Sequence, residues 1–220
     1  MAVNEVTIGL KGVKLGGTLD LPSNPLGLVL FAHGSGSGRH SPRNQYVARV
    51  LQEAGVGTLL FDLLTAEEEQ AEAYTRHLRF NIPLLAERLA GATRWALHEG
   101  KMRDLNLGYF GSSTGAAAAL LAAAELSRGI RAVVSRGGRP DLAGDALERV
   151  TAPTLLIVGG DDTPVISLNE DAYSRLRCVK ALRIVPGASH LFEEPGALEE
   201  VARLAAEWFG EHLGTVKRET

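Results

Sequence analysis

The sequence predicts an α/β protein built on a mostly parallel eight-stranded sheet with helices on both faces. Six short, almost continuously apolar runs recur along the chain: 27–32 (GLVLFA), 57–61 (GTLLF), 105–110 (LNLGYF), 130–134 (IRAVV), 154–158 (TLLIV) and 181–185 (ALRIV). Near-continuous greasiness is the pattern of parallel strands buried on both faces. Segments bearing helix signals separate the runs, and repeated βα alternation closes as a parallel sheet wrapped by helices. Ahead of them, 6–10 and 13–21 flank Lys11-Gly12 and read as a hairpin.

The helix signals follow in order. Ser41-Pro42 offers an N-cap and a proline whose missing N–H costs nothing in a first turn, and Gly55 offers a stop. Thr65 to Glu68 and Ser167 to Glu170 both match the S/T-x-x-E capping box, and both are expected to start helices. Leu85, Leu89, Ala92 and Ala96 repeat at helical spacing after Pro83, as do Val201, Leu204, Ala205 and Trp208 further on. No linker-like stretch breaks the alternation. Residues 1–213 are therefore expected to form one domain, with 214–220 a polar tail.

Composition narrows the function. Of 220 residues, 45% are apolar and 22% charged, which is ordinary for a globular protein, and the net charge of -3 lacks the basic footprint that nucleic-acid phosphates require. The single cysteine, Cys178, excludes an intrachain disulfide and a cysteine-based zinc cluster. No run approaches the roughly 18 to 20 apolar residues that span a bilayer. Glu5 interrupts the N-terminal stretch where a signal peptide would be basic and then apolar, so a cytoplasmic location is expected. No metal, cofactor, nucleic acid or membrane is expected as a partner; a small-molecule substrate is.

The strongest local signal is Gly111-Ser112-Ser113-Thr114-Gly115, directly after one apolar run and before an alanine-rich helix. It matches G-x-S-x-G with Ser113 at its centre. A nucleophile projected from a sharp strand-to-helix turn sits on strained backbone, and the positions two before and two after it must be small. The turn also places the Thr114 N–H at a helix N-terminus, where it can stabilise an oxyanion. Gly159-Gly160-Asp161-Asp162 and Pro186-Gly187-Ala188-Ser189-His190 follow later apolar runs, so an acid and a histidine both fall past carboxyl ends of strands. A hydroxyl is a weak nucleophile, so Ser113 needs His190 as general base, and the histidine needs a carboxylate to fix its tautomer. Asp161 and Asp162 are both candidates. The order Ser, Asp, His is that of the α/β-hydrolase fold.

The segments FAHGSGSGRHSPRN, GYFGSSTGAAAALLAAA, VVSRGGRPDLAG, VGGDDTPVISLN and VPGASHLFEEPGAL resemble the small bacterial α/β-hydrolases grouped with dienelactone hydrolase, over nearly the whole chain. The resemblance implies Ser113 as nucleophile, His190 as base, Asp162 as acid from its place in G-x-D-x-P-V, and an oxyanion N–H from Ser35, the residue after His33-Gly34. Dienelactone hydrolase itself carries a cysteine where this chain has Ser113, which shifts the expectation from lactones toward carboxylesters generally. Some relatives are fused to phosphoribosyltransferase domains.

The remaining candidates are weaker. Gly34-Ser35-Gly36-Ser37-Gly38-Arg39 imitates a dinucleotide-binding loop, but Arg39 stands where the third glycine belongs; a Rossmann oxidoreductase would leave Ser113 and His190 unexplained. A scaffold that binds without turnover is the other alternative. His40 and Arg136, and Arg43 beside them, lie on strand-end loops and are candidates for lining the substrate. Asp141 is a fallback acid and reads better as an N-cap for Leu142 onward. Cys178 is expected to be inert, and His77, His98 and His212 to lie on the surface. The connection from Val134 to Thr154 is too short for an inserted lid, although part of 63–104 has length enough to overhang the site. Short acyl esters are the expected substrates.

Overall fold

The computed structural model describes residues 4–75 and 77–214; of the expected polar tail, 215–220 lie outside them. The hairpin consists of β1 (Asn4–Leu10) and β2 (Val13–Asp20), turned at Gly12 with φ 86°, a left-handed conformation that side chains resist. The strands β3 (Leu28–Ala32), β4 (Gly57–Phe61), β5 (Leu107–Ser112), β6 (Ile130–Arg136), β7 (Thr154–Gly159) and β8 (Lys180–Val185) complete an eight-stranded sheet in the order β1-β2-β4-β3-β5-β6-β7-β8. β2 pairs antiparallel with both neighbours, and every other pair is parallel. The chain is thus an α/β protein of the expected design. Every residue of β3, β4, β5 and β7 is buried. β8 departs from two-sided burial because it is the sheet's edge: Arg183 and Ile184 face solvent.

Among the described residues there are six α-helices, five of which pack against the sheet. α1 (Pro42–Glu53) starts as the Ser41-Pro42 pair predicts, the Ser41 hydroxyl accepting the Asn44 N–H at 3.5 Å, and stops ahead of Gly55 at φ 83°. α2 (Ala66–Thr75) has its capping box intact: Glu68 accepts the Thr65 N–H at 2.8 Å and Thr65 accepts the Glu68 N–H at 3.3 Å. α3 (Ile82–His98) is capped by Asn81, which accepts the Leu84 N–H at 3.2 Å. α4 (Thr114–Leu126), α5 (Thr163–Arg175) and α6 (Ala197–Leu213) complete the set. Side chains of α3, α4 and α5 join one apolar cluster and those of α1 and α6 the other, so the two sets of helices cover opposite faces. The buried alanines of α4 let that helix lie close against the sheet behind β5.

Two helix-start expectations fail. Ser167 to Glu170 lies inside α5, which begins four residues earlier because Asp162 takes the N-cap position and Pro164 the first turn. A capping box cannot form there, since interior N–H groups already bond to the preceding turn. Asp141 caps nothing; it sits within 3-10 turns spanning Pro140–Arg149, bent at Gly144, and its carboxylate grips Arg139 at 2.9 and 2.7 Å.

Arg88 of α3, almost fully buried, ties these layers together by donating to both carboxylate oxygens of Glu68 and, at 2.9 Å, to the Leu63 carbonyl. Glu68 is 27% exposed, so water softens the loss of its partner. Arg88→Met is expected to lower unfolding free energy by about 1–3 kcal/mol in urea titrations.

Candidate active site

Parallel pairing places the carboxyl ends of β3, β5, β6, β7 and β8 along one edge, and Ser35, His40, Ser113, Asp162 and His190 lie on the segments leaving it, with Arg136 at the end of β6 itself. Ser113 follows β5 directly, at the N-cap of α4, with φ 50° and ψ -122°, a conformation costing a non-glycine residue about 1–3 kcal/mol. Its neighbours impose it. The Ser113 N–H donates to the Arg136 carbonyl at 3.3 Å, and the Ser113 carbonyl accepts N–H groups from Ala116 and Arg139, both at 3.1 Å. A Cβ on Gly115 would collide with the Ala32 and His33 carbonyls, and one on Gly111 would lie 2.5 Å from the Ala116 Cα. The two glycines of the motif are therefore steric necessities. Ser112, by contrast, is a buried strand residue.

His190 Nδ1 donates to Asp162 Oδ2 at 2.7 Å, so of the two adjacent carboxylates the structure brings Asp162 to the histidine. Asp162 occupies the N-cap of α5 without making a capping contact, because its carboxylate is committed to His190. Phe192 anchors the histidine loop: it is buried in the core at φ 56°, while Glu194 accepts the Ser189 N–H at 3.0 Å. Gly137, at φ 50°, follows the residue whose carbonyl holds Ser113. A Cβ there would lie 3.1 Å from the His190 carbonyl and 3.6 Å from its Nδ1. The histidine is thus seated directly beside the serine's strand-end support.

The loop after β3 supplies the third wall. Gly34 approaches so closely that a Cβ on it would lie 3.0 Å from the Ser113 Cβ. The Ser35 N–H donates to the Thr114 hydroxyl at 3.1 Å. Buried His33 fixes this loop, accepting the Leu63 N–H on Nε2 at 2.9 Å and donating from Nδ1 to the Gly34 carbonyl at 3.0 Å. Burial lowers its pKa and keeps it neutral. Arg39 is held by Asp62, which accepts its N–H at 2.9 Å. A cleft of about 1400 Å³ opens alongside, lined by Ser35, Ser37, Arg39, His40, Arg43 and Asp62 among others. His40 therefore lines a cavity, whereas Arg136 is buried behind the site.

The Thr114 hydroxyl, Gly137, Phe192 and the fixed tautomer of His33 were not singled out from sequence; a second small residue after Arg136 was the one available signal. Cys178 is half-buried and its thiol is pushed up by that burial. His77 and His98 are exposed, but His212 is not a free surface residue: its ring packs edge-on against Trp208 at 4.4 Å.

This fold and these strand-end loops define the α/β-hydrolase class. A crystal structure of dienelactone hydrolase from Anabaena variabilis matches at TM-score 0.95 and 60% identity, covering 96% of this chain and 98% of that one. The chain belongs to the dienelactone-hydrolase family and has the α/β-hydrolase fold. Est1E from Butyrivibrio proteoclasticus, at 18% identity and TM-score 0.78 over 94% of this chain and 98% of its own, shares the fold. Among curated proteins, a Mycobacterium tuberculosis protein provisionally named a phosphoribosyl transferase is 56% identical over 209 residues, 95% of this chain. The chain spans 46% of that relative's length. No family model matches.

The neutral, buried His33 has a pH signature. The unfolded chain takes up a proton on this histidine in mild acid and the folded chain resists it, so stability falls as pH drops from about 7 to about 5. In His33→Gln the fall should be shallower by up to about 1.4 kcal/mol per pH unit in urea unfolding; an unchanged slope would mean that folded His33 protonates freely.

Proposed function

We propose that the chain is a serine carboxylesterase acting on short acyl esters through Ser113, His190 and Asp162. The observation that carries this reading is the 2.7 Å contact from His190 Nδ1 to Asp162, formed on the edge where Ser113 holds its strained turn. The contact leaves Nε2 as the basic nitrogen. Ser113 Oγ attacks the acyl carbon and passes its proton to His190 Nε2, while Asp162 stabilises the imidazolium. The oxyanion draws on the Thr114 N–H and on the Ser35 N–H, which leaves the Thr114 hydroxyl as negative charge develops. Collapse expels the alcohol with the proton from His190. Water, activated by the same histidine, then cleaves the acyl-enzyme.

A lactone is an internal ester and passes through the same steps, and the name of the Anabaena relative favours lactone hydrolysis as a second reading. The transferase name of the curated relative describes a protein about twice this length, and the hydrolase reading concerns the segment that the two share. Short acyl chains are favoured because the connection between β6 and β7 holds no helix beyond the ten-residue 3-10 stretch Pro140–Arg149 and the neighbouring cleft is open. α2 and the turn Leu78–Phe80 do approach the site, where the Ser35 hydroxyl donates to the Arg79 carbonyl at 3.4 Å.

Against p-nitrophenyl esters, kcat/KM is expected to peak between acetate and roughly hexanoate, and a continued rise to palmitate would disprove the short pocket. Ser113→Ala should lower kcat at least about 10⁴-fold, while Ser112→Ala keeps most activity. Asp162→Asn should cost on the order of 10⁴ and Asp161→Asn far less; the reverse ranking would place the acid one residue earlier.

A further inference from the structure

Arg136 ends β6 directly beside the nucleophile, its Cα paired with Ser112 and its carbonyl accepting the Ser113 N–H. The residue is 8% exposed, and neither Nε nor Nη1 meets a partner. Strand alternation sends it to the face of Val134, toward α1 and α6. There it lies within electrostatic reach of a second guanidinium, Arg43, in the first turn of α1. Burial and that like charge together lower the Arg136 pKa to about 10. Two further buried groups of the same turn also lack partners, Arg43 Nε and Asn44 Oδ1. The first turn of α1 contains no acidic residue, so apart from the neutral Ser41 cap no negative charge of its own offsets its positive end.

A buried guanidinium with two of its nitrogens unpaired is among the costlier features a fold can keep. The donors left open are three, Arg136 Nε and Nη1 and Arg43 Nε, and the acceptor is one, Asn44 Oδ1. A carboxylate satisfies the donors but has no hydrogen for Asn44. A hydrogen phosphate or a singly protonated phosphoryl group offers several acceptor oxygens and one O–H. We propose that Arg136, Arg43 and Asn44 form a binding site for an oxyanion of the phosphate class, either free or carried on the substrate as a phosphoryl group. Arg43 is the entrance: it lines the cleft that also holds Ser35, and its 2.8 Å bond to Glu193 is a partly exposed ion pair. Such pairs contribute little, so Arg43 can turn to an anion cheaply. The substrate arm alone rests on Ser113 being the nucleophile; binding of free phosphate does not.

The test uses the full chain and inorganic phosphate, with sodium chloride and acetate matched in ionic strength. Phosphate at tenfold excess over its Kd should raise the melting temperature of the parent protein by roughly 3–6 °C, acetate by less, and chloride not at all. Arg136→Met should lose the phosphate shift while melting, without phosphate, no lower than the parent, because an unpaired buried charge has gone. Should that variant fail to fold, Arg43→Gln, altered at a partly exposed side chain, should bind phosphate at least about tenfold more weakly by calorimetry. No shift in the parent protein, or an equal shift or affinity in the variants, would overturn the site and leave water as the occupant of these groups. Competitive inhibition of ester hydrolysis by phosphate would assign the phosphoryl group to the substrate, and binding without competition would assign a free ligand; each upholds the site. Loss of esterase activity with phosphate binding intact would refute the proposed catalysis alone.

Discussion

The backbone of Ser113 is the constraint around which this structure is arranged. A serine at φ 50° and ψ -122° persists only where its surroundings over-determine it. Here they do so from several sides. The Arg136 carbonyl takes its N–H, the Ala116 and Arg139 N–H groups take its carbonyl, and Gly111 and Gly115 clear space that any Cβ would fill. The alanine-rich character of α4 belongs to the same arrangement, because a helix leaving so sharp a turn must lie close to the sheet behind β5. Composition, helix packing and turn geometry are consequences of one strained residue.

Around that turn, groups that would ordinarily stabilise local structure are committed elsewhere. Asp162 stands at the N-cap of α5 and makes no capping bond, its carboxylate facing His190. The Ser35 N–H rests on the Thr114 hydroxyl, a neutral acceptor that an anionic oxygen would outcompete. Phe192 holds a left-handed backbone although it is a large aromatic, with its ring sunk in the core to fix the histidine loop. These three departures from local preference lie on the same sheet edge, as expected where structure serves chemistry.

The α/β architecture was legible because parallel strands announce themselves as short apolar runs; β3, β4, β5 and β7 are buried as those runs imply. The positions of Ser113, Asp162 and His190 were legible because glycines and strand ends mark them. What escaped was three-dimensional in origin. The Thr114 hydroxyl is spoken for by a residue 79 positions away, and no local pattern encodes that distance. Ser167 to Glu170 has the right letters for a capping box, yet Asp162 and Pro164 start α5 earlier and absorb it. Asp141 reads as a cap until Arg139 is seen to bind its carboxylate. His212 looked like one more charged-helix histidine, and only packing brings it onto Trp208. Arg136 looked like a loop residue, and its burial emerges only when the helices of that face, α6 foremost, pack over β6.

The account turns on Ser113 being a nucleophile made reactive by the fold. The most direct measurement is intact-mass and peptide mapping after treatment with a fluorophosphonate, which reacts with an activated serine and ignores ordinary ones. One adduct per chain on Ser113, formed by the folded protein and absent after denaturation, is the predicted result. A folded protein that takes no label, or takes it on Ser112, would contradict the account.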